Sequence, residues 1–480
     1  MNDSTDCRAV DLPFETGEYP TTWQVSDREH NILKIPGLLI VEKGKYPTGM
    51  LYGDMPIEYE NGSASFPQCH RFDVLTGRLS SGAYVALMNG ELSYVFPGSG
   101  RIVGAFAALS LEPFDTSEHR KYAAIELQIE GVESVAGVMP ISGIKMPTKV
   151  GDEPTWQVSL VKDANFTWRA GNVSMEFCYN HRVRAFDGYE FRIAFGPVLR
   201  ISSDQPLAIV GWWLEWVRPL RQLISLLTGE PREVRYLLAM VAGVAPRLRR
   251  DQVFGWDITH LPVNSTRAAV EAIRSAVNLS CDHLSLLDLL CSWKWRIKEG
   301  HPLFETYGSM VATADQHPRS RLLLLLQALE GSYGFENREE FAADNGKFGD
   351  KRNEVLERAR QLLDKTDFKF VNKNLRREAS RGLSQALSEL LTRLPDVISE
   401  DLEGAELIKV VREADSDKNR LPVHDALTRV RNILSHGSGS FDPQHLEAAA
   451  DILERAVRYE VLRLLDVPSE ARERAVEKYE

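Results

Sequence analysis

Over residues 1–203, apolar side chains occur in short runs, several of which alternate with polar positions. The runs are rich in valine, isoleucine and aromatic residues, and they end at glycine, proline, asparagine or aspartate, as β-strands commonly do. They are HNILKIPGLLIVEKG, GAYVALMNGELSYVF, RIVGAFAALSLE, AAIELQIEGVESVAGV, TWQVSLVKDANFTW, VSMEFCYN and EFRIAFGPVLRIS. Many short strands at this spacing predict an antiparallel β sandwich or barrel-like domain.

The pattern changes its period near residue 204. Asp204, followed by Pro206, predicts a helix start, because an acidic N-cap with proline in the first turn is a common beginning. The segment LAIVGWWLEWVRPLRQLISLLTG follows and ends at Gly229. Its three tryptophans are expected to pack the helix on the β-domain, since aromatic residues at helical spacing are usually core. These residues are Trp212, Trp213 and Trp216.

Beyond Gly229 the sequence predicts almost only helix. Two segments carry apolar stripes at i, i+3, i+4 and i+7, which indicate a helical bundle. The stripes are Leu383, Ala386, Leu387, Leu390, Leu391 and Leu394 in one segment, and Leu446, Ala449, Leu453, Val457 and Leu464 in the other. We therefore expect a multidomain α+β protein with a β-rich domain over 1–203, a helical extension of it over 204–300, and an all-α domain over 301–480.

Composition and charge narrow the function classes. Hydrophobic residues make up 43% and charged residues 26% of the chain, which is ordinary for a globular protein. The net charge of −11 argues against coating RNA through the overall field, so any RNA contact requires a local basic patch. The polar start MNDSTDCRAV lacks the features of a secretory signal, and no uninterrupted apolar run is long enough to span a bilayer. A cytoplasmic protein without a membrane partner is expected.

The sequence also predicts neither a cofactor nor a metal. It contains no Walker A motif, and no glycine-rich loop follows a strand and opens a helix. The five cysteines form no CxxC pair. Cys281 and His283 lie close together in sequence, but two further ligands for a zinc site are missing.

The motif with the clearest chemistry is R-N-x3-H, formed by Arg431, Asn432 and His436. On a helical wheel, one face carries an apolar stripe and the opposite face carries polar residues at i, i+4, i+7 and i+11. The apolar stripe is Val423, Ala426, Leu427, Val430 and Leu434, and the polar strip is Asp425, Arg429, Asn432 and His436. Asn432 and His436 are therefore neighbours on an exposed helix face.

Arg431 lies about 140° around the wheel from His436, at 100° per residue. One straight helix cannot direct both side chains at one phosphate. Either the helix ends or bends before His436, for which Gly437 and Gly439 offer an opportunity, or the two residues meet across a partner chain.

These residue types suit RNA cleavage. Histidine can take a proton from the ribose 2′-hydroxyl or give one to the leaving 5′-oxygen. Arginine presents a planar fork of donors to the phosphate, and asparagine can orient either group. The ordinary alternative is a histidine that stabilises the helix C-terminus and a polar face that is merely solvated.

Segments in both halves of the chain resemble known families. RVRNILSHG, with the helix that ends in VLRLLDVP, resembles HEPN domains, whose hallmark is R-x4-6-H with a polar residue after the arginine. SRLLLLLQALEGSYG resembles the opening helix of the ApeA-type HEPN subfamily, with Glu330 in its usual place. EYPTTWQ, PGLLIVEKG and QPLAIVGWWLEWVRPLRQLISLLTG resemble the ApeA amino-terminal domain.

The resemblance implies that the all-α part is a HEPN bundle acting as a metal-independent endoribonuclease in anti-phage defence by abortive infection. Arg431 and His436 would then be catalytic, Asn432 the polar motif residue, and Glu330 an accessory of the first helix. Because HEPN domains pair two motifs in one cleft, a homodimer is implied, and the N-terminal domain becomes a candidate sensor of a phage-derived trigger. Arg429, two residues upstream of the motif, either binds RNA or faces solvent.

A second candidate site lies in LDKTDFKFVNKNLRREASR, where basic residues are interleaved with Phe368 and Phe370. Such a pattern can hold a phosphate backbone and stack bases. The RNA-binding candidates are Lys369, Lys373, Arg376 and Arg377. The alternative is a solvated helix face with two core phenylalanines.

Two other functions stay open from the sequence. One is a non-catalytic HEPN protein that binds RNA or nucleotide through the same polar face. The other is a carbohydrate- or protein-binding module in which the β-domain is the functional part and the helices only dimerise.

Overall fold

The structure is a computed structural model divided into two compact units, Met1–Cys291 and Ser292–Glu480. It describes residues 8–26, 32–53, 66–96, 98–114, 119–145, 157–161, 164–185, 191–241, 249–311, 313, 316–376, 382–414 and 421–477.

The first unit is built mainly from antiparallel strands, as the sequence predicts. The strands are β1 Gly17–Ser26, β2 Ile32–Val41, β3 Thr48–Tyr52, β4 Gln68–Leu79, β5 Tyr84–Phe96, β6 Ser99–Ser110, β7 Tyr122–Ile129, β8 Ile141–Lys145, β9 Gln157–Leu160, β10 Phe166–Ala170, β11 Val173–Ala185, β12 Phe191–Leu207, β13 Val234–Val241 and β14 Arg249–Gly255. Apart from the β8–β9 pair, they form one sheet in the order β10-β11-β12-β7-β13-β14-β6-β3-β2-β1-β4-β5.

This sheet closes on itself at one end. Strand β6 pairs with β5 along one edge, while its other edge pairs with β3 and then with β14. The pairings β6–β3–β2–β1–β4–β5–β6 therefore complete a six-stranded barrel, and closure leaves these strands without free edges. The barrel is filled by a continuous apolar cluster that includes Trp23, Leu39, Leu51, Leu87, Ile102 and Phe254.

A single helical stretch packs against the sheet. It comprises α2 Ile209–Trp212, a π-helical turn Trp213–Val217 and α3 Arg218–Thr228. Its three tryptophans are buried. The Trp212 indole Nε1 donates a hydrogen bond to the Tyr122 carbonyl at 2.9 Å, and the Trp213 ring lies 5.4 Å from that of Phe106, centroid to centroid. The prediction that these tryptophans pack the helix on the β-domain is confirmed.

The sequence prediction was wrong in the segment that follows strand β12. Strand β12 continues past Asp204 and Pro206 to Leu207, which pairs with Tyr122 after a bulge, so the helix starts only at Ile209. Strands β13 and β14 lie where a helical extension was expected. Strand β13 is almost entirely buried, and a strand buried on both faces shows no alternation by which it could be distinguished from a buried helix.

The second unit is helical, and helix α5 leads into it. Helices α1 Val132–Ala136 and α4 Arg267–Glu271 belong to the first unit. The remaining helices are α5 Leu286–Lys298, α6 Pro302–Met310, α7 Pro318–Glu336, α8 Arg338–Leu362, α9 Lys365–Asn374, α10 Leu383–Leu391, α11 Asp396–Gly404, α12 Glu406–Glu413, α13 Val423–His436, α14 Pro443–Leu464 and α15 Ser469–Arg474. Helix α7 packs against α6, α10, α13 and α14.

The two predicted apolar stripes are buried in this bundle, with the exception of Leu391, which is half-buried. An antiparallel β-domain followed by a helical region is therefore confirmed. Within the described segments, no helix combines the length and apolarity that crossing a membrane requires.

Candidate active site

The candidate motif occupies the last two turns of helix α13. The predicted apolar stripe of this helix, from Val423 to Leu434, is buried at all five positions. It packs the helix against α7, α10 and α12. The opposite face is exposed at Arg429, Asn432 and His436. Asp425 departs from the predicted strip, because it is half-buried and accepts a hydrogen bond from the Ser384 hydroxyl of α10.

Arg431 is held by two neighbours. Its Nη2 donates to Glu330 Oε2 at 3.1 Å, and its Nη1 donates to Asn432 Oδ1 at 3.1 Å. The Arg431 and Glu330 side chains are 38% and 34% exposed, so this ion pair is open to solvent. The structure thus brings together three of the residues singled out from the sequence, although Glu330 is 101 positions away from Arg431.

These two bonds leave much of the guanidinium available. A guanidinium has five N–H donors, and the two bonds use one on each terminal nitrogen. The remaining donors keep the flat fork that suits two phosphate oxygens. Glu330 and Asn432 therefore orient Arg431 without occupying all of it.

His436 is the final residue of α13, and the helix end is well defined. Gly437 adopts a left-handed conformation with φ 64°. Its N–H donates to the Leu434 carbonyl at 3.3 Å, and the Ser438 N–H donates to the Ile433 carbonyl at 3.2 Å. This pair of bonds is a Schellman motif, which glycine at the left-handed position favours.

The helix does not bend before His436. It stays helical through Ser435 and His436, so the alternative of a break that lets His436 turn back towards Arg431 is wrong. Arg431 and His436 remain about 140° apart around the helix axis. Between these two described side chains there is no hydrogen bond.

Arg319 is a site residue that sequence reasoning missed. It lies in the first turn of α7, and its Nη2 donates to the Leu434 carbonyl in the last turn of α13. This bond satisfies a carbonyl at the helix end and fixes the position from which His436 projects. No local pattern marks Arg319, because the contact joins residues 115 positions apart.

The second candidate site lies on helix α9. Lys369, Lys373 and Arg376 are exposed, whereas Arg377 lies outside the described residues. Phe368 is half-buried, but Phe370 is 68% exposed. The alternative of two core phenylalanines is therefore wrong for Phe370.

A metal centre is not a feature of the described part of the chain. In those residues, no three or more histidine, cysteine, aspartate or glutamate side chains are grouped so that they could hold a metal ion. That the reaction needs no metal stays a prediction, and it rests on the chemistry of the motif residues.

The fold consists of an antiparallel β-domain and a helical bundle. A family model matches the first of these two parts. Residues 18–237 match the family model described as ApeA N-terminal domain 1. Residues 18–237 therefore form an ApeA-type N-terminal domain, as the sequence predicted, and this domain suggests a role in anti-phage defence. The match does not extend to the helical unit that carries the motif. No curated protein and no solved structure matches the chain.

Proposed function

We propose that this protein is a metal-independent endoribonuclease of the HEPN type that acts in anti-phage defence by abortive infection. The observation that carries the proposal is the hydrogen-bonded cluster of Arg431, Asn432 and Glu330 at the same end of α13 that carries the exposed His436. Metal-free RNA cleavage needs a histidine for proton transfer and an oriented cation for the phosphate, and two α13 helices together can supply both to one phosphate.

The proposed reaction uses the RNA itself as nucleophile. His436 takes the proton from a ribose 2′-hydroxyl, and the 2′-oxygen attacks the adjacent phosphorus. The bond from phosphorus to the 5′-oxygen breaks, and His436 returns the proton to that oxygen as it leaves. The products are a 2′,3′-cyclic phosphate and a 5′-hydroxyl, so atoms and charge balance without a metal or a second substrate.

Arg431 binds the phosphate as its negative charge develops. A guanidinium held in one orientation loses less conformational freedom on binding than a free one does. Glu330 and Asn432 provide that orientation through the two 3.1 Å hydrogen bonds. In this proposal Glu330 and Asn432 are positioning residues, and Arg429 contributes positive charge on the RNA side of the helix.

The working unit is proposed to be a homodimer in which two α13 helices face one cleft. The continuous helix keeps Arg431 and His436 on different sides of α13. A two-fold related partner can place its His436 near the Arg431 of the first chain, because a symmetric interface presents the same surface twice. The N-terminal ApeA domain is proposed to sense the phage-derived trigger that releases the activity.

A cleavage assay with excess chelator tests the proposal. The purified chain should cut RNA in EDTA and leave a 2′,3′-cyclic phosphate. A matched RNA with a single 2′-deoxy substitution at the cut site should resist, since it lacks the nucleophile. Strict dependence on Mg²⁺, or cutting of the 2′-deoxy substrate at the same rate, would rule out 2′-hydroxyl attack. Binding of RNA without any cleavage would favour the non-catalytic alternative.

A further inference from the structure

Helices α8 and α9 form a pair, here called the α8–α9 arm (residues 338–376), that contributes no fully buried residue. The two helices pack chiefly on each other, and their apolar residues, such as Phe348 and Phe368, are only half-buried. These helices therefore add little to the hydrophobic core, and most of their side chains are exposed. The outward face of α9 is therefore a candidate for binding.

Three lysines form a stripe along α9. Lys365, Lys369 and Lys373 follow one another at i, i+4 and i+8, which turns each by only about 40° from the last. All three are exposed. The half-buried apolar residues Phe368 and Val371 are centred about 130° around the helix from the middle of this stripe.

An exposed aromatic ring accompanies the lysines. Phe370 lies about 60° around the helix from Lys373 and about 160° from Phe368. It is 68% exposed, although phenylalanine side chains are usually buried. A bare ring beside a row of cations is the combination that holds single-stranded nucleic acid, since bases stack on the ring while phosphates meet the cations.

The local charge favours an anionic partner. Residues 364–376 contain four basic and two acidic residues, within a chain of net charge −11. One of the two carboxylates, Asp364, caps the helix by accepting from the backbone N–H groups of Thr366 and Asp367 at 2.8 and 2.9 Å. Among the described residues, the ion pairs do not include any of the three lysines.

The C-terminal end of α9 is fixed in place on the arm. Arg352 of α8 donates through Nε to the Arg376 carbonyl at 3.0 Å and through Nη2 to Asn372 Oδ1 at 3.0 Å. These bonds hold the lysine face on a defined helix rather than on a loop, which lowers the entropic cost of binding a ligand.

We propose that the outward face of α9 is a docking surface for single-stranded RNA, with the backbone along Lys365, Lys369 and Lys373 and a base stacked on Phe370. The proposal rests on RNA being the substrate of the α13 motif, and it adds a binding site outside that motif. Arg376, at the end of the same helix, extends the basic face.

The test measures RNA binding apart from cleavage. The full chain carrying His436→Ala is titrated with a labelled single-stranded RNA of about 20 nucleotides at several salt concentrations. Adding Lys369→Gln and Lys373→Gln should weaken binding about tenfold or more and reduce the slope of log K against log salt by about 1.4, at 0.7 per lost phosphate contact. Phe370→Ala should weaken binding about tenfold with an unchanged slope.

The matched control removes the same charge elsewhere. Lys45→Gln with Lys409→Gln deletes two exposed lysines that are paired with Glu42 and Glu406, and it should leave affinity and slope as they are. Equal binding by the α9 and control variants, or no binding by the parent chain, would overturn the docking surface. A change in sedimentation with unchanged RNA binding would assign the face to a protein contact and would also overturn it.

The experiments distinguish failure of the docking surface on α9 from failure of the catalytic proposal for α13. If cleavage by the wild-type chain depends on His436 and Arg431 but the α9 variants bind RNA normally, only the docking surface is wrong. If the α9 variants lose RNA affinity while the α13 motif has no effect on cleavage, only the catalytic proposal is wrong.

Discussion

At the residue scale, the proposed site depends on the hydrogen bond by which Glu330 of α7 orients Arg431 of α13. The R-N-x3-H spacing predicts an exposed polar face, and the resemblance to HEPN domains indicated Glu330. Neither gives the 3.1 Å hydrogen bond between the two side chains. That bond depends on how α7 and α13 pack, as does the bond from Arg319 to the Leu434 carbonyl.

Arg431→Lys should lower the rate of RNA cleavage about 10²-fold, because an ammonium lacks the flat fork of donors. Glu330→Gln should lower it roughly tenfold by loosening Arg431. If Glu330 acts through Arg431, adding Glu330→Gln to Arg431→Lys should have almost no further effect. Single-turnover kinetics of the two single variants and the double variant measure this, and additive losses would mean that Glu330 acts by another route.

A second residue-scale prediction concerns pH and lies in the β-domain. His260 is buried, its ring stacks on Phe254 at 4.0 Å between centroids, and burial lowers its pKa to about 3. Because the folded pKa is below the unfolded value of about 6.5, the unfolded chain binds the extra proton as the pH falls. His260 therefore lowers the free energy of unfolding by about 1.4 kcal/mol for each unit by which the pH falls between roughly 6.5 and 3.

His260→Asn removes the titrating group, and asparagine tolerates the positive φ of 57° at this position. Hydrogen exchange of the β13 and β14 amides, measured in the full chain at pH 7 and pH 5, should show less acid destabilisation in this variant. The same loss of protection in wild-type and variant chains would contradict the assignment to His260.

At the element scale, the amphipathic helices were predictable and the buried strands were not. The stripe of α13 is buried at all five predicted positions, because a helix with one apolar face shows its period in the sequence. Strand β13 is buried on nearly all sides and shows no period. Pro206 indicated a helix start, yet the bulge in β12 keeps that segment in the sheet.

The end of α13 offers a stability prediction. Gly437→Ala should destabilise the helical unit by about 1 kcal/mol, because only glycine adopts the left-handed conformation without cost. A Cβ at this position would meet nothing within 4 Å, so the effect reports backbone strain rather than a clash. If the Schellman motif holds His436 in place, cleavage should fall as well.

Gly334→Ala is the matched control for this change. Gly334 lies inside α7, and a Cβ there would also meet nothing within 4 Å. Alanine favours a helix interior, so this variant should gain about 0.5–1 kcal/mol. Urea unfolding of both variants, followed by circular dichroism, checks the opposite signs. Equal changes in the two would show that the helix end carries no strain.

At the scale of the whole molecule, the sequence predicted a β-domain and a helical domain but left a sandwich and a barrel as alternatives for the first. Strand β6 has three partners, β3, β5 and β14, and its sequence distinguishes none of them. Closure follows from long-range pairing, whereas alternation along one strand only reveals which face is buried. The family match to residues 18–237 covers this part of the chain.

The proposed shared cleft predicts complementation between chains. Arg431→Lys and His436→Ala chains, each inactive alone, should regain roughly one quarter of wild-type activity when mixed in equal amounts. About half of the dimers are then mixed, and each mixed dimer has one intact pair of its two symmetric sites. Analytical ultracentrifugation over the assay range should show a dimer. A monomer, or mixtures as inactive as their components, would contradict the shared cleft.

The most direct test of the central claim compares His436→Ala with the wild-type chain in one RNA cleavage assay. Loss of proton transfer should lower the rate by about 10²–10⁴-fold. The fold should be unchanged, because His436 is exposed at a helix end. His445→Ala, a histidine on α14 outside the motif, should cleave normally. Cleavage by His436→Ala at the wild-type rate, with both proteins folded, would contradict the account.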